Sequence, residues 1–150
     1  MQGFLADTNV WIALQFERHP HHQTAVDFIG ARTEKAPVFF ARIVEQSFVR
    51  LITTAALCRS YSVPAHTNAQ AVEILNGWRS RRHIRCLDAE PEGTRELWLE
   101  LTAIPSASPK VWMDAYLAAF AIRASLPFTT LDADFRRFEA AGLQLLLLSA

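Results

Sequence analysis

The feature that most constrains this chain is the alternation of short apolar runs with longer amphipathic stretches. Gly3–Ala6, Val38–Phe40, Ile84–Leu87, Phe128–Leu131 and Leu145–Leu148 are too short for helices and read as buried strands. Between them, apolar residues at helical spacing predict helices over Val10–Phe16, His22–Ala31, Ala41–Thr54, Thr67–Ser80, Glu92–Ala103 and Val111–Ser125. Thr8 and Asn9 are placed to cap the first helix, and Thr67 to cap the fourth, which carries Val72, Leu75 and Trp78 along one side. Strands that alternate with helices build a parallel sheet covered on both faces. The expected fold is therefore α/β, with a central parallel sheet in one domain over residues 1–150. In such sheets ligands bind beyond the carboxyl ends of the strands.

Composition is compatible with this. The chain has 150 residues, 51% of them hydrophobic, which suffices for one packed core and argues against disorder. Cys58 and Cys86 lie in no metal-ligand spacing and read as thiols of a reducing compartment. No basic segment precedes Asp7, as a signal peptide would require, and no apolar run is long enough to span a bilayer. A cytoplasmic protein with no membrane role is expected. The 15 Lys and Arg are matched by 15 Asp and Glu, and this neutrality is, on its face, unlike a domain that binds a polyanion.

Several acids sit where packing alone would not put them. Asp7 ends the first strand, Glu45 interrupts the apolar stripe of Ile43, Val44, Phe48, Leu51 and Ile52, and Asp114 opens the most apolar helix. Asp132 and Asp134 follow the fourth strand, so Asp7 and Asp132 should emerge on one sheet edge. An isolated carboxylate in a dry core is costly, so each should be paired, protonated or bound to a cation, and few bases lie nearby in sequence. Converging carboxylates without Cys or His suit Mg²⁺ or Mn²⁺ rather than Zn²⁺. One or two such ions activate water and stabilise the leaving oxygen of a phosphodiester. Plainer readings stand beside this one: Asp7 as a helix N-cap, Glu45 as a surface residue, Asp114 as a cap after Ser108-Pro109, Asp132 as a turn residue.

The segment Phe4-Leu5-Ala6-Asp7-Thr8-Asn9-Val10-Trp11-Ile12 resembles the opening motif of PIN-domain ribonucleases. Glu45, Asp114-Ala115-Tyr116-Leu117-Ala118 and Thr130-Leu131-Asp132-Ala133-Asp134-Phe135 follow in that family's order and at about its spacings. The similarity covers nearly the whole chain and is nearest to VapC-type toxins of type II toxin–antitoxin modules. It implies a three-layer α/β/α PIN-like fold and a magnesium-dependent endoribonuclease, with Mn²⁺ as the alternative ion. It also implies a homodimer and a VapB-like antitoxin that blocks the site, with tRNA or rRNA as the kind of substrate. By motif match, Asp7, Glu45, Asp114 and Asp132 are the acidic catalytic set, with Asp7, Asp114 and Asp132 toward the metal. Thr8, Asn9 and Thr130 match supporting polar positions, and Asp134 a supporting or helix-capping one. Trp11 and Trp112 are bulkier than the resemblance leads one to expect.

Two clusters invite other readings. His19, His21 and His22 fit no closed zinc site and read as a loop entering a helix. The Arg79, Arg81, Arg82, Arg85 run reads as a solvated or ion-paired face, with RNA phosphate or antitoxin contact as the functional alternative. Two other functions are carried alongside: a PIN nuclease of RNA maturation, and a non-hydrolytic receiver-like module, which the lack of an acid pair near Asp7 weakens. If four acids face a metal, fifteen basic residues stand against eleven acidic ones outside the pocket. Neutrality is then the sum of a negative pocket and a mildly basic exterior, and metal-free protein should hold RNA poorly.

Overall fold

All five expected strands form in the computed structural model, which describes residues 2–149, and they pair in parallel in the order β3-β2-β1-β4-β5. They are β1 (Phe4–Ala6), β2 (Val38–Ala41), β3 (Ile84–Leu87), β4 (Phe128–Thr130) and β5 (Leu145–Leu147). β1 lies at the centre, with Phe4 opposite Val38 of β2 and Leu5 opposite Phe128 of β4. Gly3 precedes β1 rather than opening it. Its φ is +129°, and a Cβ there would lie 2.3 Å from the Pro37 carbonyl oxygen, so only glycine fits.

The order of the strands decides where the helices go. From β1 the chain steps outward to β2 and β3, then crosses back to β4 on the opposite side of β1. Right-handed crossovers put connections that step in opposite directions on opposite faces. Accordingly α1 (Thr8–Gln15), α2 (His22–Gly30), α3 (Arg42–Ile52) and α5 (Asn68–Arg79) pack together on one side. On the other, α6 (Thr94–Thr102), α7 (Pro109–Ala124) and a 3₁₀ segment over Ala133–Ala141 form a second layer. The result is the three-layer α/β/α architecture.

Aromatic stacking under α1 consolidates the first layer. Trp11 is fully buried and lies parallel to Phe40 with ring centroids 3.5 Å apart, while Trp78 from α5 comes within 5.4 Å. The bulk of Trp11 is thus core filling. Trp112 is half exposed; its backbone carbonyl accepts the indole N–H of Trp98 at 2.8 Å.

Several boundaries differ from expectation for local reasons. Thr8 and Asn9 do not cap α1 but belong to it, because Asp7 takes the N-cap position. Thr67 caps α5 as expected, in a reciprocal capping box with Gln70. On α5 it is Ala71, not Val72, that is buried; Val72 is 53% exposed. The short helix α4 (Ala55–Ser60) and the 3₁₀ segment have too few turns to show a period, and neither was foreseen. α7 begins at Pro109, two residues before the expected start, because proline suits the first helical position. That shift brings Lys110 into the helix.

Candidate active site

The strand order reverses at β1, so the crevice between the carboxyl ends of β1 and β4 is where a ligand is expected. Asp7 leaves β1 there with an extended backbone and turns its carboxylate back on the chain. Its Oδ1 accepts the Thr8 N–H at 2.7 Å; its Oδ2 accepts the Thr130 hydroxyl at 2.7 Å and the Asn9 side-chain amide at 3.1 Å. Asn9 spans the crevice. Its amide also donates to Thr130 Oγ1 at 3.0 Å, and its Oδ1 accepts the Leu131 N–H at 3.1 Å. Thr130 Oγ1 in turn accepts the Asp132 N–H at 3.1 Å.

Asp7 is only 8% exposed, and burial pushes its pKa up to about 6. The hydrogen bonds from Thr130 and Thr8 pull it down, while the charges of Asp114 and Asp132 push it further up. Asp114 is raised too, first by burial and then by Asp132 and Asp134 against the pull of Lys110. Three acids therefore share one poorly solvated region and repel one another. Asp114 lies within α7, a full turn past its start, so it is not a helix cap.

Lys110, one turn before Asp114, stands among these acids. Its Nζ is 2.8 Å from Asp132 Oδ2, 2.9 Å from Asp134 Oδ2 and 3.6 Å from Asp114 Oδ2. Asp132 also caps the 3₁₀ segment, its Oδ1 accepting the Asp134 N–H at 2.9 Å. Burial raises the Asp132 pKa, but the Lys110 and Asp134 N–H bonds outweigh it and leave it below the usual range. The expectation of few nearby bases is corrected here: a lysine partners the fourth acid and its neighbours.

Glu45 arrives from the first turn of α3, after β2, on the same sheet edge. It is 8% exposed, and Arg42 Nε lies 3.2 Å from its Oε1 without the alignment of a hydrogen bond. That buried oxygen has no hydrogen-bond partner, while Arg42 bonds Asp88 at 2.7 Å. The structure thus brings Asp7, Asp114, Asp132 and Asp134 together, and holds Glu45 on the same edge through Arg42. Among the described residues no three His, Cys, Asp or Glu side chains close around a metal-sized space. The donor chemistry nevertheless fits a divalent cation: hard oxygens only, a buried carboxylate resisting ionisation, and a buried Glu45 oxygen that Arg42 neighbours without a hydrogen bond.

The PIN domain family model matches residues 4–141. The chain belongs to the PIN-domain family. Ribonuclease VapC41 of Mycobacterium tuberculosis is 34% identical to it, over 95% of this chain and 97% of that protein. Two solved structures share the fold. VapBC2 of Rickettsia felis bound to promoter DNA superposes with a TM-score of 0.62 at 13% identity, covering 97% of this chain and 98% of that one. VapC20 of M. tuberculosis, described as a sarcin–ricin loop cleaving toxin, gives 0.61 at 19% identity, covering 94% and 96%.

As a PIN domain, the chain is not a receiver module. The residues of its opening motif divide the work: Asp7 faces the crevice, Asn9 ties α1 to β4, and Thr8 offers its backbone N–H. The residues missed from sequence are the two cations, Arg42 and Lys110. Both stand three or four positions before an acid on the same helix; that spacing was open to view for Arg42 within the expected Ala41–Thr54 helix, and for Lys110 only once α7 was known to start at Pro109. Of the histidines, His22 ties α2 to α1, its Nδ1 meeting the Ala13 carbonyl at 2.8 Å. Of the arginine run, Arg85 reaches Glu34 at 4.0 Å. Among the described residues no helix is long and apolar enough to cross a membrane.

Proposed function

We propose that this PIN domain is a divalent-metal-dependent endoribonuclease of the VapC toxin type, held inactive by a cognate VapB-like antitoxin. The observation that carries this reading is the convergence of Asp7, Asp114 and Asp132 at the reversal of strand order, in a chain 34% identical to a VapC ribonuclease. Asp7, Asp114 and Asp132 are the residues to hold Mg²⁺ or Mn²⁺. The bound ion supplies an activated water and neutralises charge on the phosphodiester.

The chain's own groups do the rest. Thr130 and Asn9 fix the Asp7 carboxylate and leave it no freedom to rotate. Glu45, buried and ion-paired to Arg42 on its own helix, is the group to accept a proton from attacking water. Lys110 keeps Asp132 and Asp134 at the crevice, and Asp132 starts the 3₁₀ segment that caps this edge. The substrate class is structured RNA such as tRNA or rRNA, the protein acts in the cytoplasm, and it assembles as a homodimer.

The test is cleavage of total tRNA and rRNA by purified protein. Cleavage with Mg²⁺ or Mn²⁺, abolished by EDTA and by Asp7→Asn, is expected. Equal cleavage by Asp7→Asn and wild type would overturn the assignment.

A further inference from the structure

Lys110 occupies an awkward place for a cation. It is the second residue of α7, where the unpaired N–H groups of the helix end make positive charge unfavourable. Its ion pair with Asp114 runs lysine first, the weaker orientation at this spacing. Within the helix only this weaker pair with Asp114 favours a lysine here. What does favour it is the acid cluster: the ammonium bonds Asp132 and Asp134 at 2.8 and 2.9 Å and lies 3.6 Å from Asp114. Those acids come from the loop after β4 and from α7, so the contact joins two segments distant in sequence. The ammonium sits where the carboxylates call for a cation, and the described residues around it form no closed metal cluster.

We propose that Lys110 is a built-in counter-ion that holds the Asp132 side of the site without metal and competes with divalent cations for it. Divalent metal is admitted to this side only in exchange for the ammonium. The lysine stem makes such an exchange feasible: it is flexible, carries a single charged head, and is 61% exposed, so it leaves into water without breaking any packing. Lys110 is on this view a positioning residue that sets the threshold of metal occupancy. The inference rests on the metal-dependent reading above, and its test reads metal binding rather than cleavage.

The experiment is titration of the intact protein with Mn²⁺, followed by electron paramagnetic resonance of free ion and by calorimetry, on wild type, Lys110→Met and Lys110→Arg. Lys110→Met removes the charge and keeps the stem; it should bind Mn²⁺ about tenfold more tightly, or bind an additional equivalent. Lys110→Arg keeps the charge and should remain near wild type. Thermal unfolding without metal should show Lys110→Met less stable, because its acids lose their cation, and Mn²⁺ should restore it. Unchanged or weaker Mn²⁺ binding by Lys110→Met overturns the inference and leaves the nuclease reading standing if Asp7→Asn still abolishes cleavage. Absence of Mn²⁺ binding in both wild type and Lys110→Met overturns the inference and the metal reading together.

Discussion

The Thr130 hydroxyl donates to Asp7 Oδ2 across 2.7 Å, joining the ends of the two strands between which the strand order reverses. Thr130 Oγ1 in turn receives the Asp132 N–H, so one buried hydroxyl sets the positions of two acids at once. Thr130→Val keeps the shape and removes these two bonds together with the one from the Asn9 amide. It should cost about 1–3 kcal/mol in chemical denaturation and reduce cleavage at least tenfold, whereas Thr130→Ser should stay close to wild type in both.

Asp7 titrates at about 6 in the folded protein against 3.8 ordinarily, so folding favours its protonated form. The stability this contributes is complete below pH 3.8 and lost as pH rises through about 6. Without metal, wild-type stability relative to Asp7→Asn should therefore fall by about 2–3 kcal/mol between roughly pH 4 and pH 7.5. Saturating Mg²⁺ should reverse the loss at the higher pH and have little effect at the lower. Denaturant melts across that range, with and without the ion, decide it.

Glu45 buries an oxygen whose close partner is the Arg42 guanidinium, 3.2 Å away and out of hydrogen-bond alignment. Glu45→Gln neutralises the group in place and gives up only a half-exposed ion pair with Arg42, so stability without metal should change by no more than about 1 kcal/mol while cleavage falls by about a hundredfold. A large loss of stability in equilibrium unfolding would show that the pair with Arg42 is a strong one.

Trp11 fills the space beneath α1, stacked on Phe40, and its indole N–H is buried without a partner. Trp11→Ala should cost about 3–5 kcal/mol by opening a cavity. Trp11→Phe should cost much less, because it removes the orphaned N–H along with part of the ring. Thermal unfolding of the two variants distinguishes packing from hydrogen bonding at this position.

The strands and long helices were legible because each carries its own period: Val38–Phe40 is continuously apolar, and Ile43, Val44, Phe48, Leu51 and Ile52 recur at helical spacing. The acids were legible for the converse reason, since Glu45 and Asp114 break those patterns. Helix starts were less so. Pro109 stands before the apolar pattern of α7 begins, and Asp7 serves both as strand end and as cap, so Thr8, Asn9 and Lys110 were assigned outside helices that contain them. Val72 and Ala71 exchanged places because α5 is rotated to suit its packing against α3, which its own sequence does not register.

By itself, then, the sequence determined the five strands, the six longer helices, the parallel sheet and which acids break the apolar pattern, all of which follow from local spacing of apolar and charged residues. Tertiary structure alone decided that Thr130 bridges Asp7 and Asp132 and that Lys110 stands among three carboxylates. Those relations depend on β4 lying beside β1, and on the angle at which α7 meets the loop after β4. Such placements are fixed by the packing of whole layers, where side chains more than a hundred residues apart meet.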